Sequence, residues 1–421
     1  MLQTLGPFKP VLLAALFLSI NQGLVGSILS VRLAEMQASA QMAGLMTTAY
    51  FIGHVLGSRL GHRLLGRTGH IRAFAGMMAI GAISALLIPV IPEPLAWIAI
   101  RLAAGISLVL GFLVLESWLN MQTSNENRGS VFGVYITVVY VGMTAGQVML
   151  GFVDAMSFQA FSFTAMMLML AILPMTMTSR AQPDLPADAR LRLTDLVRLS
   201  PVGFAACAAS GALTGAIFGL FPYYASGAGL DISGIAIFMS ATVGGGLLLN
   251  WPLGKLSDRI DRRWVIALAG IAIAASSAVL ALSGTGLAVL VSAGGLLGGA
   301  TAVLYSLGVA HTNDFSGSID PIAVGGGLLL AFGFGAIAGP VVASMMMDLL
   351  LAAALFLFTG MAGAGLAGLA LFRMVVRQAA ASVDKVDFVP LSSTAGPAMG
   401  VDPLSVAAEA ADQLAAAEPV T

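Results

Sequence analysis

The chain has 421 residues, 58% hydrophobic and only 9% charged, with 50 Gly and a formal net charge of −1. Soluble domains carry about 25% charge, so a water-soluble core cannot absorb this much apolar surface, and the near-neutral balance argues against a nucleic-acid partner. The single Cys207 excludes an internal disulfide and a thiolate metal cluster, and the four His show no metal-ligand spacing, so neither a metal nor another cofactor is expected.

Long apolar runs of about 20 residues are what a membrane-crossing helix requires. They lack the strict alternation of a barrel strand. Twelve such runs follow in order, at roughly 8–31, 41–62, 71–91, 95–119, 130–153, 159–178, 202–225, 232–253, 264–283, 286–310, 321–346 and 349–372. Lys9 precedes the first run and no small-residue cleavage site follows it, so the first helix is expected to be retained. Between the second and third runs lies Gly57-Ser58-Arg59-Leu60-Gly61-His62-Arg63, continuing to Arg67 and Arg72. Residues 179–200 form the longest polar break before the tail and divide the chain into six runs and six. The stretch Gly254-Lys255-Leu256-Ser257-Asp258-Arg259-Ile260-Asp261-Arg262-Arg263 then follows the eighth run, 197 positions after the first basic stretch. Only Asp348 separates the last two runs. Residues 378–421 are rich in Ala, Pro and Ser and are expected to be a disordered tail.

Orientation follows from the basic residues. With the N-terminus in the cytoplasm, 17 of the 19 Lys and Arg fall on cytoplasmic segments, and only Arg32 and Arg101 lie towards the outer face. Both termini are then cytoplasmic, in a multi-pass protein of the cell inner membrane. The two halves also repeat. Leu115-Glu116-Ser117-Trp118 and Leu304-Tyr305-Ser306-Leu307 stand 189 residues apart, as do Thr123 and Thr312. Parallel repeats of six spans build two bundles around one central cavity. The expected fold is therefore all-α and polytopic, with twelve transmembrane helices in two six-helix bundles related by a pseudo-two-fold axis. The bundles are 1–178 and 201–377, joined by a cytoplasmic linker 179–200 and followed by the tail 378–421.

These features resemble the major facilitator superfamily over nearly the whole membrane region. That family's signature, Gly-x-Leu-x-Asp-Arg-x-Gly-Arg-Arg, is matched by residues 254–263, with Asp261 where the second Gly is usual. The first-half copy is degenerate, because Gly61 stands in place of the acid. Within the superfamily the chain is similar to the YcaD-type transporters through Glu116-Ser117-Trp118-Leu119-Asn120, Gly69-His70-Ile71-Arg72, Leu304-Tyr305-Ser306 and Ala310-His311-Thr312-Asn313-Asp314. The resemblance implies alternating access, with spans 1, 4, 7 and 10 lining the cavity.

On that frame, the substrate-binding residues are expected to be Asn21, Gln22, Arg101, Tyr224 and Tyr305. Amides at mid-membrane need partners, and substrate is preferred here over helix–helix contact. Arg101 has two readings: a cavity cation, or a side chain that snorkels to the outer interface. The run Arg101-Leu102-Ala103-Ala104-Gly105 also resembles the superfamily's Arg-x-x-x-Gly motif, which is linked to proton coupling. Tyr223 and Tyr224 could equally be interfacial belt residues. His54, Gln147 and Asn250 are read as interhelical hydrogen-bonding groups. Glu116 is the acid inside an inner-half span, and it serves either as a proton carrier or as a gate carboxylate paired with Arg128 or Arg63. A cytoplasmic gate is expected from Asp258, Arg259 and Arg262 beside Arg128, where Asp258 meets the start of span 5. In the other half Arg59 or Arg63 is expected to pair with Asp314 or Asp320.

The function these readings imply is secondary active transport of a small organic solute, coupled to protons, by a monomer in a lipid bilayer. Efflux of a drug or metabolite and import of a nutrient both remain open. A receptor or scaffold that kept the fold is a rival, opposed by the intact 254–263 signature. An enzyme is not expected, since no nucleophile–base or metal constellation converges at one depth.

Overall fold

The computed structural model describes residues 6–123, 125–177, 193–283, 286–317, 319, 321–376, 388 and 391. The side chains of His62, Asn125, Glu126, Arg128, Pro321 and Ile322 lie outside the described set, as do Asp320 and most of the expected linker and tail. Twelve long helices run in order among the described residues. The first six are α1 (Lys9–Glu35), α2 (Ala40–Thr68), α3 (His70–Val90), α4 (Pro94–Gln122), α5 (Asn125–Leu150) and α6 (Phe158–Thr176). The second six are α7 (Pro201–Gly227), α8 (Ile232–Arg259), α9 (Arg262–Leu282), α10 (Leu287–Asn313), α11 (Pro321–Leu349) and α12 (Ala354–Val376). A short helix, Leu193–Leu199, leads into α7.

Helices are the expected solution, because lipid offers no hydrogen bonds to an open backbone. Local chemistry sets several starts. The side chains of Ser39, Ser157, Ser200 and Asp231 cap α2, α6, α7 and α8 by accepting a backbone N–H at 3.0–3.3 Å. Eleven of the twelve helices are long and apolar enough to cross a membrane. The twelfth, α2, is equally long but carries Gln41, Thr47, Thr48, His54 and Arg59. Thr47 and His54 face the central cavity described below, which is why this helix is polar.

The two basic stretches are not loops, contrary to a reading of each as a hinge. α2 remains helical to Thr68 and α8 to Arg259. Chain direction breaks only at Gly69, with φ 75°, and at Ile260–Asp261. Pro252 is accommodated inside α8 and Gly57, Gly61 and Gly66 inside α2, and lysine and arginine are good helix formers outside the bilayer.

The helix pairings repeat between the halves. In the first half α1 packs on α5 and α6, α4 on α2 and α3, and α3 on α6. In the second, α7 packs on α11 and α12, α10 on α8 and α9, and α9 on α12. Across the halves α2 meets α11, α5 meets α8, and α1 meets α7. The tightest approach of α2 to α4 is at Gly105, where any Cβ would collide with the Tyr50 carbonyl oxygen. The equivalent approach of α8 to α10 sets Gly298 against the Thr242 carbonyl. Small residues of this kind let membrane helices pack backbone to backbone.

The two ends of the molecule differ. At the end away from the basic stretches, the halves are tied together. Asp348, at the end of α11, accepts the first two backbone N–H groups of α2, Ala40 at 3.2 Å and Gln41 at 3.1 Å. An anion at a helix N-terminus gains from the dipole. Tyr223 Oη donates to the Ala38 carbonyl at 2.7 Å, Ser30 Oγ to Gly219 O at 2.9 Å, and Thr48 Oγ1 to Ile337 O at 3.0 Å. Arg32 anchors the same end of α1, donating to Met156 O at 3.0 Å with its guanidinium over Trp97 and Phe161.

At the other end, two tail residues rest on the bundle. The Phe388 N–H donates to Asp258 Oδ1 at 3.0 Å, and its ring lies against Gly254. The Leu391 N–H donates to Ser306 Oγ at 3.0 Å. The expected disordered tail thus contains two docked residues.

Gly105→Val should lower the melting temperature of the purified protein, at a cost of about 1–3 kcal/mol for overpacking. Gly76→Ala, where nothing lies within 4 Å, should leave it unchanged or raised. Asp348→Asn should lengthen the distance between spin labels at Glu35 and Leu350, read by double electron–electron resonance; an unchanged distribution would show that the cap does not hold the halves together.

Candidate functional site

A cavity lies between the two halves, with walls from α1, α2, α4, α5, α7, α8, α10 and α11. It offers about 120 Å³ to the centres of water-sized spheres. A single water needs roughly 10–15 Å³ on that measure, so there is room for a small organic solute. Its polar lining includes Gln22 from α1, Thr47, Tyr50 and His54 from α2, Arg101 from α4 and Tyr140 from α5. From the second half come Ser210, Thr214, Thr242 and Thr301. Val25, Met46, Phe51, Ile217, Phe218 and Phe332 supply apolar surface.

The centre of the polar wall is Arg101. It is only 6% exposed and lies seven residues into α4, about 10 Å from the helix start. Of its two expected placements, the structure shows the cavity. Its guanidinium carbon lies 4.6 Å from the Tyr50 ring centroid. A desolvated cation–π contact contributes about 2 kcal/mol. The Gly105 approach makes that stack possible, because it brings Tyr50 to α4 one turn beyond Arg101. Stacking occupies the guanidinium face and leaves its N–H edge. Arg101 Nε, Tyr50 Oη, Gln22 Oε1, Thr301 Oγ1 and both ring nitrogens of His54 are buried without a hydrogen-bond partner among the described residues. Buried polar atoms are ordinarily paired, so this concentration marks a place built to meet another molecule.

Three expected binding residues stand elsewhere. Asn21 faces α6, where its Nδ2 donates to the Thr164 carbonyl at 3.0 Å; it joins helices, although its neighbour Gln22 lines the cavity. One residue is about 100° of helix, enough to turn a side chain from one face to the next. Tyr224 packs edge-on to Phe356 of α12, centroids 4.8 Å apart. Tyr305 stands behind the cavity wall, edge-on to Phe332 at 5.6 Å. His54, read as an interhelical group, instead lines the cavity with its ring nitrogens unpartnered. Gln147 does join helices, accepting from Ser27 Oγ at 2.8 Å. Tyr50 was absent from the expected set. Its sole signal in the sequence was a place one turn before His54 on the most polar of the long helices.

Glu116 lies apart from the cavity, fifteen residues along α4 from Arg101, about 22 Å of helix. It is 1% exposed. Tyr135 Oη of α5 donates to its Oε1 at 2.9 Å, while Oε2 has no partner among the described residues. Its partner is thus a tyrosine rather than Arg63, which is exposed on α2. The next two residues continue the node: Ser117 Oγ lies 3.0 Å from His70 Nε2, and Trp118 meets the His70 ring edge-on. Two stretches that are distant in sequence, 69–72 and 116–120, meet here.

The second basic stretch folds around Arg262, which is 1% exposed. Its Nε donates to Asp314 Oδ2 at 2.8 Å, and its NH1 group to Ser257 Oγ at 2.8 Å and Asp258 Oδ1 at 3.0 Å. One side chain therefore ties the ends of α8 and α10 to the start of α9. Asp314 takes this arginine of its own half, and Arg59, Arg63 and Arg67 are exposed. The expected pairing of Asp314 across the halves is replaced by a pairing within one half. Asp258 likewise meets Arg262 and the Phe388 N–H; the Arg128 side chain and Asp320 lie outside the described residues, and Arg259 is exposed. Asp261 caps α9 and pairs with Arg263, whose NH1 group also reaches the Arg373 carbonyl at the end of α12. Burial raises the pKa of the Asp261 carboxyl, but hydrogen bonds from Arg263 and the nearby His311 outweigh it and hold the carboxyl below its ordinary range.

The sequence profile of the Major Facilitator Superfamily matches residues 11–251. An MFS-type transporter of Yersinia pestis (strain Pestoides F) is 24% identical over 346 residues, 81% of this chain and 89% of its own length. The MFS-type transporter YcaD of Escherichia fergusonii is 25% identical over the same shares. Among solved structures, a D-xylose–proton symporter superposes with a TM-score of 0.69 at 14% identity, covering 86% of this chain and 96% of that one. The nucleoside transporter NupG, as its D323A mutant, gives 0.68 at 14%, covering 87% and 99%. At that identity the two structures share a fold with this chain. With more than half its length matched by the family profile, and its twelve helices paired as two repeats around one cavity, the chain belongs to the Major Facilitator Superfamily.

Proposed function

We propose that the protein moves a small organic solute across the cell inner membrane by alternating access, as a proton-coupled secondary transporter acting as a monomer. Residues 1–178 and 201–377 are the two moving bundles, 179–200 is the linker, and both termini are cytoplasmic. One observation carries the reading: a cavity lies between the halves, and its unpartnered polar groups come from both of them. The Asp348 and Tyr223 contacts close the end opposite the basic stretches, so that end is the outer gate in this state. The basic end then faces the cytoplasm, in keeping with the distribution of Lys and Arg.

Glu116 is the coupling residue in this reading. It is a buried carboxyl with one free oxygen, on the same helix as the cavity cation, and Tyr135 links it to α5 of the same bundle. Protonation and deprotonation of such a group change the charge buried between helices, and that bias can drive rocking of the bundles. Arg262 with Asp258 and Asp314 is the anchor of the inner gate on the second bundle, and Arg59, Arg63, Arg128, Arg259 and Asp320 are its further candidate charges.

The test is a thermal-shift screen of the purified protein against metabolites and drugs, then flux of the hits in proteoliposomes under an imposed pH gradient. Transport should accumulate solute against its gradient and stop with uncoupler. Glu116→Gln should abolish accumulation while keeping downhill exchange; full active transport in that variant would remove Glu116 from the mechanism. Arg262→Gln should lower the melting temperature, since breaking a buried ion pair costs about 3–5 kcal/mol. The Asp261 contribution has a definite sign. Because its folded pKa is depressed, its stabilisation is full above the unfolded carboxylate value of about 3.9 and is lost as pH falls through the lower folded value. Asp261→Asn should flatten that acid limb in melting curves taken from pH 6 to pH 3.

A further inference from the structure

Among the described residues the cavity holds one formal charge, on Arg101, and no acid that balances it. Arg101 makes no hydrogen bond and no ion pair among the described residues, and no Asp or Glu lines the cavity. Glu116, on the same helix, is too far along α4 to reach it. An arginine buried without a counter-charge is costly. Tyr50 moderates that cost through the guanidinium face only. The remaining edge has the planar fork geometry that matches a two-oxygen acid. Around it, Tyr50 Oη and the His54 ring can both donate to the same acceptor, and both are buried and unpartnered. Beyond this polar corner the walls are apolar, at Met46, Phe51, Ile217 and Phe218.

Resting on the transporter reading of this cavity, we infer that its substrate class is a small organic monoanion, whose carboxylate pairs edge-on with Arg101 and whose apolar body lies against the Phe51 and Phe218 side. One guanidinium balances one negative charge, so dicarboxylates and amines are disfavoured. Arg101 is then a specificity-determining residue, and it acts at a depth separate from Glu116. A solute that brings its own negative charge also neutralises the cavity when it binds, which lets a loaded carrier change conformation without moving a bare buried cation.

Acid–amide pairs test this on the full-length protein in detergent at constant ionic strength. Benzoate and hippurate are the probes, with benzamide, hippuramide and benzylamine as matched controls. The expected result is a concentration-dependent rise in melting temperature with at least one acid and none with its amide or with the amine. Arg101→Gln should weaken the acid by about a hundredfold, and Arg101→Lys, which keeps the charge but loses the fork, by less. Equal stabilisation by acid and amide, preference for benzylamine, no stabilisation by either acid, or undiminished affinity in Arg101→Gln each overturns the assignment. The acid–amide contrast is read on the unmodified protein, so it stands even if a variant fails to fold. Counterflow of labelled hippurate in proteoliposomes separates the two readings. Acid binding without counterflow sinks the transport reading and leaves the anion site; counterflow of hippuramide but not hippurate sinks the anion site and leaves transport.

Discussion

The backbone contact between α2 and α4 governs much of what the molecule can do. A glycine at 105 lets the Tyr50 carbonyl press against α4, and one turn away that same approach stacks Tyr50 on Arg101. Without the contact, Arg101 would be a bare cation in a low-dielectric interior, and the cavity would lose its polar corner. In membranes there is little hydrophobic force between helices, so packing of this kind supplies the cohesion. The second half uses the same device between α8 and α10 at Gly298. Each half is thus held together internally around the cavity between them.

Between the halves close glycine contacts recur, with Gly44 of α2 against the Pro340 carbonyl of α11 and Gly219 of α7 against the Thr47 side chain, and hydrogen bonds add to them. At the end away from the basic stretches these are bonds to backbone atoms: Asp348 with the first two N–H groups of α2, Tyr223 with Ala38, and Ser30 with Gly219. A neutral bond of this kind contributes about 0.5–1.5 kcal/mol and one to a charged group about 1.5–3 kcal/mol. By contrast, the Arg262 cluster lies within one half, is almost fully buried and joins three helix ends. Where tail residues Phe388 and Leu391 touch Asp258 and Ser306, the basic end carries a further contact made by backbone amides.

Much of this architecture was legible in the chain itself. The twelve apolar runs became twelve helices, and Asp348 alone marked the turn between the last two. The 189-residue offset of Glu116-Ser117 and Tyr305-Ser306 foretold the repeated pairings. Helix ends were less legible, because α2 and α8 continue past the apolar limit with residues that suit a helix in water as well as in lipid. Site residues divided according to helix rotation. Gln22 and Arg101 line the cavity, whereas Asn21, one residue from Gln22, turned to α6. Tyr224 was absorbed by Phe356, and His54, which looked like a helix–helix group, faced the cavity. Apolar helices give little amphipathic pattern from which to read their rotation, since both lipid and protein neighbours are apolar.

The sequence by itself determined the class, the number of helices, their division into two related halves and the segregation of basic residues to one end. These follow from hydropathy, length and repetition, which are properties of the chain before it packs. Tertiary structure alone decided which polar side chains meet in the cavity, that Asp314 pairs with Arg262 of its own half, and that Asp348 ties the halves together at the end away from the basic stretches. Those outcomes depend on the rotation and depth of each helix against its neighbours, and close glycine contacts set both only once the helices are assembled.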